Sequence, residues 1–94
     1  MRHLVWHTSF LRAFKRRTRR DPRLQERILD ILAALAENPF EPRLKAHKLR
    51  GQLEGLWACW VEYDCRIVFA FEPDPAGGGD SIVLVDIGSH DEVY

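Results

Sequence analysis

The spacing of apolar residues changes period once along this 94-residue chain, and that change decides the class of fold. Leu24, Ile28, Ile31, Leu32 and Leu35 recur three and four apart, which places one apolar stripe along a helix running to about Glu37. Asp21-Pro22 marks its start, because Asp caps a free helix end and Pro fits the first helical position. Pro39 and Pro42 in "ENPFEP" stop it. Ahead of it, Thr8 or Ser9 can cap a first helix with Phe10, Leu11 and Phe14 on one side. Its end carries the cations of "KRRTRR", where the helix dipole favours them. Beyond Leu56 the period becomes that of strands. "LWACWVE", "CRIVFAFE" and "SIVLVDI" are rich in β-branched and aromatic residues, with turns at Tyr63-Asp64 and in "PDPAGGGD". "HLVWH" adds a short strand at the N-terminus. The expectation is an α+β fold in a single domain over residues 1–94. An N-terminal strand and a helical hairpin pack on one face of a small antiparallel sheet.

With Tyr63-Asp64 as the turn, Val61 is expected opposite Arg66, Trp60 opposite Ile67 and Cys59 opposite Val68. One face then collects Leu56, Ala58, Trp60, Ile67, Phe69 and Phe71 against the helices. The other carries Trp57, Cys59, Val61, Arg66 and Val68. On this register the two cysteines lie on opposite faces, which argues against a disulfide between them. So few cysteines suit a reducing compartment. The N-terminal stretch has no apolar run fit for a leader or a spanning helix, so a cytoplasmic protein without membrane contact is expected.

A net charge of zero hides a split. Residues 1–55 hold 13 Lys/Arg against 6 Asp/Glu, and residues 56–94 hold 1 against 8. The basic half is suited to a polyanion. Its cations gather as Arg16, Arg17, Arg19 and Arg20, and again as Lys45, Lys48 and Arg50 in "KAHKLRG", so both groups are candidate RNA contacts. Cutting RNA without a metal needs a base for the 2′-hydroxyl, an acid for the departing 5′-oxygen and a cation at the phosphate. His47, Asp64, Arg66, His90 and Tyr94 are the candidates, on a loop, a turn, a strand and the tail. Trp57 and Trp60 read as packing residues. His3 and His7 lack further ligands nearby, and neither cysteine has the surroundings of a reactive thiolate. No metal or other cofactor is expected.

"HKLRGQLEGLWACWVEYDCRIVFAF" together with "IVLVDIGSHDEVY" resembles the RelE/ParE superfamily of type II toxin–antitoxin toxins, and within it the YafQ-type mRNA interferases. The resemblance implies an endoribonuclease that cuts mRNA on the ribosome and is held inactive by a cognate antitoxin. Operator DNA would be reached only through that antitoxin. Position by position, the family's loop histidine falls on His47, its hairpin aspartate on Asp64, its C-terminal histidine on His90 and its terminal aromatic on Tyr94. The arginine that RelE-like members use near the scissile phosphate falls on Arg66. Either histidine can serve as base or acid; the cations beside His47 suit the base and the carboxylates after His90 suit the acid, with Tyr94 as a platform for a nucleobase. The chain departs from the YafQ pattern at Trp60, where the family has a histidine, and it lacks the lysines of RelE-type members on this strand. Two other readings stand beside the interferase. One is a ParE-like toxin that poisons DNA gyrase without catalysis, and the other is a degenerate toxin that only binds its antitoxin.

Overall fold

Asp21 starts the longer helix as its sequence requires, in a computed structural model that describes residues 1–77 and 79–89. Its carboxylate accepts the Leu24 N–H at 3.0 Å and Pro22 occupies the first turn, so α2 (Pro22–Glu37) begins with an otherwise orphaned donor satisfied. The helix ends where the Asn38 N–H reaches the Ala34 carbonyl. The shorter α1 (Thr8–Thr18) is capped one residue earlier than expected, by His7, whose Nδ1 accepts the Ser9 N–H. Ser9 Oγ donates to the Val85 carbonyl and so ties the helix start to the last strand. Among the described residues, no helix is long and apolar enough to cross a membrane.

Among the described residues five strands form the sheet: β1 (Leu4–Trp6), β2 (His47–Lys48), β3 (Trp57–Glu62), β4 (Cys65–Pro73) and β5 (Asp80–Gly88). Their order is β1-β5-β4-β3-β2. β1 lies parallel to β5 and the other pairs are antiparallel, so the sheet is mixed rather than antiparallel throughout. No tight turn joins β1 to its neighbour. Both helices and the rest of the sheet intervene, which frees β1 to run either way. Residues 47 and 48, expected in a loop, form the short edge strand β2.

The β3–β4 register differs by one from the expected one. Trp60 faces Arg66, Cys59 faces Ile67, Ala58 faces Val68 and Trp57 faces Phe69, with a bulge between Trp60 and Glu62. A one-residue shift exchanges the two faces of a strand. The β4 assignment survives, with Ile67 and Phe69 buried on the helix side and Phe71 packed beside them. From β3, however, Cys59, Val61 and Trp57 join the core that holds Phe10, Ile28 and Leu35, in place of Leu56, Ala58 and Trp60. Ala58 turns to the opposite face, where it joins Leu49 and Val68 beneath Leu53, Leu56 and Val85. Among the described residues, Trp60 belongs to neither cluster.

The same bulge brings both cysteines into the helix-side core as free thiols, correcting their expected placement on opposite faces. Burial pushes the Cys59 thiol up to about 12, with the neighbouring Cys65 adding to the rise. Burial likewise raises Cys65 to about 11, against a smaller opposing pull from Arg17. Both stay protonated at neutral pH. Unfolded thiols ionise near pH 8.5–9, so between there and about 11 the unfolded state binds fewer protons than the folded one. Stability should therefore fall as pH rises through that window. Denaturant midpoints followed from pH 8 to 11 are expected to drop more steeply in the wild type than in Cys59→Ala. Equal slopes would remove the Cys59 thiol from the account.

Candidate active site on the open sheet face

Residues paired across antiparallel strands share a face, as do residues two apart on one strand. His47 pairs with Ala58, and Trp60 lies two positions beyond Ala58. Trp60 pairs with Arg66, and Arg66 with Gly88. His47, Trp60 and Arg66 therefore share the face away from the helices. Strand spacings put the Cα atoms of His47 and Arg66 about 12 Å apart.

The segment before β3 is shaped to present His47. Lys45 takes a left-handed backbone with φ 50°, a conformation that costs a non-glycine residue about 1–2 kcal/mol. His47 Nδ1 bonds the Lys45 carbonyl at 2.9 Å. A carbonyl only accepts, so Nδ1 carries the proton and the neutral ring has its lone pair at Nε2. Further on, Gly51 and Gly55 adopt positive φ (70° and 93°), and the chain doubles back so that the Leu49 N–H reaches the Leu56 carbonyl. A cavity of about 630 Å³ opens here, lined by His47, Lys48, Arg50, Glu54 and Trp57 among others.

The cations around His47 divide. Lys45 Nζ lies over the Trp60 ring at 5.2 Å, joined there by Arg27 at 5.7 Å. Lys48 lies over Trp57 at 5.8 Å, and Trp57 packs with the helix-side core. Strand alternation thus turns Lys48 away from the face that carries His47. Arg50 is exposed on the cavity wall.

Arg66 is buried, and its Nη1 donates to the carbonyls of Glu62 (2.6 Å), Tyr63 (2.9 Å) and Cys65 (3.3 Å). It closes the β3–β4 turn from inside. Asp64 sits exposed in that turn, and its carbonyl accepts from Arg17 Nη1 at 3.3 Å. Arg23 pairs with Glu62 at 3.3 Å and Arg27 Nε donates to the Val61 carbonyl at 3.0 Å. Three helix arginines thus grip one hairpin. The contacts of Arg23 and Arg27 with this hairpin were not foreseen in the sequence, although their four-residue spacing places them on one side of α2. Arg16, Arg19 and Arg20 stay exposed around the end of α1. His90 and Tyr94 lie outside the described residues. The described chain closes with Gly88, opposite Arg66, and then Ser89.

A family model described as "Bacterial toxin of type II toxin-antitoxin system, YafQ" matches residues 2–94. Among solved structures, the chain is similar to the YoeB/ParE toxin from Agrobacterium tumefaciens. The two are 25% identical, with 94% of this chain and 98% of that one covered and a TM-score of 0.75. It is similar in fold to YafQ from E. coli, at 16% identity, 100% and 99% coverage and a TM-score of 0.77. A chain of the E. coli DinJ–YafQ complex gives 16%, 100%, 99% and 0.75 in the same terms. None of the curated proteins matches by sequence.

Proposed function

The chain belongs to the YafQ family of bacterial toxins of type II toxin–antitoxin systems, and from that premise we propose that it is a metal-independent endoribonuclease. It would act in the cytoplasm on mRNA held by the ribosome. The observation that carries this reading is the orientation of His47, whose Nδ1 is held by the Lys45 carbonyl so that the neutral ring offers Nε2 as a base. In the proposed reaction that nitrogen takes the 2′-hydroxyl proton, and the 2′-oxygen attacks phosphorus. The bond to the 5′-oxygen breaks, and His90 protonates the leaving oxygen. The Nη1 group of Arg66 is committed to the turn, so a contact from this residue to the strained phosphate would use Nη2. Asp64 and Tyr94 complete the proposed set, Tyr94 by stacking on a base.

A cognate antitoxin is the proposed protein partner, in keeping with the DinJ–YafQ complex of the E. coli relative. Contact with operator DNA would come only through it. Primer extension on cellular mRNA after induced expression tests the enzyme reading. New ends within codons support it, and intact messages beside growth arrest count against it. A degenerate toxin that only binds antitoxin is the second reading, favoured by Trp60 standing where the family pattern has a histidine.

The exposed arginines around the end of α1 are proposed to hold the RNA backbone. Arg19→Ala with Arg20→Ala should weaken association with programmed ribosomes and reduce the log–log salt slope by about 1.4, since each single-strand phosphate contact contributes about 0.7. Cleavage at saturation should stay close to wild type. Arg17 is left out of this pair because it also braces the Asp64 carbonyl. Should saturating cleavage collapse, these arginines belong to the chemistry and not to positioning.

A further inference from the structure

We propose that Trp60 is a nucleobase-binding residue of this site. An unpaired RNA base stacks on its indole while Lys45 and Arg27 take adjacent phosphates. This rests on the endoribonuclease reading above and gives it a substrate contact that the histidine of the family pattern could not supply in the same way. Trp60 was expected to pack in the core, and among the described residues it joins neither apolar cluster. Trp57 shows what a packing tryptophan looks like here, set among Phe40, Phe69 and Phe71 with ring centroids 5.4–6.5 Å away. Trp60 is, like Trp57, partly buried, but among the described residues it lies in neither apolar cluster and has Lys45 and Arg27 over its ring. It stands on the open face, opposite Arg66 and on the same face as His47.

The two cations differ in how they are held. Arg27 Nε is fixed to the Val61 carbonyl, whereas Lys45 is an exposed ammonium on a flexible stem. An exposed contact between an ammonium and a ring is weak. A phosphate can draw Lys45 off the ring while the base of the same nucleotide takes its place. Proteins that bind single strands combine such an aromatic platform with neighbouring cations. The backbone of Lys45 already positions His47, so movement of its ammonium toward RNA leaves the catalytic ring where it was.

The test measures kcat and KM for cleavage of a defined message on programmed ribosomes by wild type, Trp60→Leu and Trp60→Phe, with thermal melting of each. Trp60→Leu is expected to raise KM about tenfold, the usual scale for losing one stacked base, with kcat little changed. Trp60→Phe should recover most of the loss. Lys45→Asn, which tolerates the left-handed backbone, should raise KM less and flatten its salt dependence. A Trp60→Leu protein with wild-type KM overturns the proposal, as does a Phe variant that melts normally yet is as impaired as Leu. Loss of antitoxin affinity in Trp60→Leu without loss of RNA affinity overturns it in favour of a protein contact. A wild type that cuts no message overturns the enzyme reading instead. Stacking is then decided by retention of the protein on ribosomes carrying that message, which Trp60→Leu should lower.

Discussion

Replacing His90 or His47 by alanine is expected to lower mRNA cleavage about a hundredfold or more, with each variant still folded. Transfer of the phosphoryl group from the 5′-oxygen to the 2′-oxygen needs a proton removed at one end and supplied at the other. Where positioned side chains do this, each contributes on that scale. His47 carries the proposed base role, with its Nδ1 held by the Lys45 carbonyl. His90 carries the proposed acid role and should show the larger loss, because by the family resemblance Trp60 stands where a further histidine would, leaving no imidazole there to substitute. The folding cost of His47→Ala should be small. The ring is half-buried and loses a hydrogen bond worth about 0.5–1.5 kcal/mol. Growth arrest on induction, primer extension and thermal melting on the same variants provide the check. A folded His90→Ala protein cutting at the wild-type rate would remove that residue from the mechanism, and likewise for His47→Ala.

Legibility in the sequence followed the strength of local signals. α2 could be read to both ends because Asp21-Pro22, the apolar spacing and Asn38-Pro39 agree with one another. The inward face of β4 was legible because Ile67, Phe69 and Phe71 alternate with smaller or polar residues. The facing register was not, since alternation fixes a strand's faces only once its turn is known. A two-residue turn without a bulge was the simplest assumption, and Val61 broke it. At the site, the sequence pointed to His47 but gave no hint that Lys45 would hold Nδ1 by its backbone. The hold of Arg66, Arg17 and Arg27 on the β3–β4 hairpin was not legible for a shared reason. Their partners are main-chain carbonyls of the β3–β4 hairpin, which leave no mark on side-chain patterns.

Arg66→Ala is expected to cost about 3 kcal/mol of stability, on the scale of losing charge-assisted hydrogen bonds at a buried site. Three carbonyls converge on one Nη1 group, and the residue is only 9% exposed. Alanine leaves those carbonyls without that donor and opens a gap behind the turn. For a domain of this length the loss should lower the melting temperature by roughly 15 °C. Cleavage should fall too, even well below the new midpoint, because the turn fixes the strand end that carries Trp60 and the proposed Nη2 contact. Arg66→Lys separates the two roles. A lysine keeps the charge and can reach one or two of the carbonyls, so it should recover part of the stability. It lacks the planar fork that would hold the turn with one nitrogen and a phosphate with another, so cleavage should stay low. A lysine variant that restores stability and cleavage together would reduce Arg66 to a simple charge. An alanine variant that melts with the wild type would show that the hairpin is held by Arg17, Arg23 and Arg27 without it.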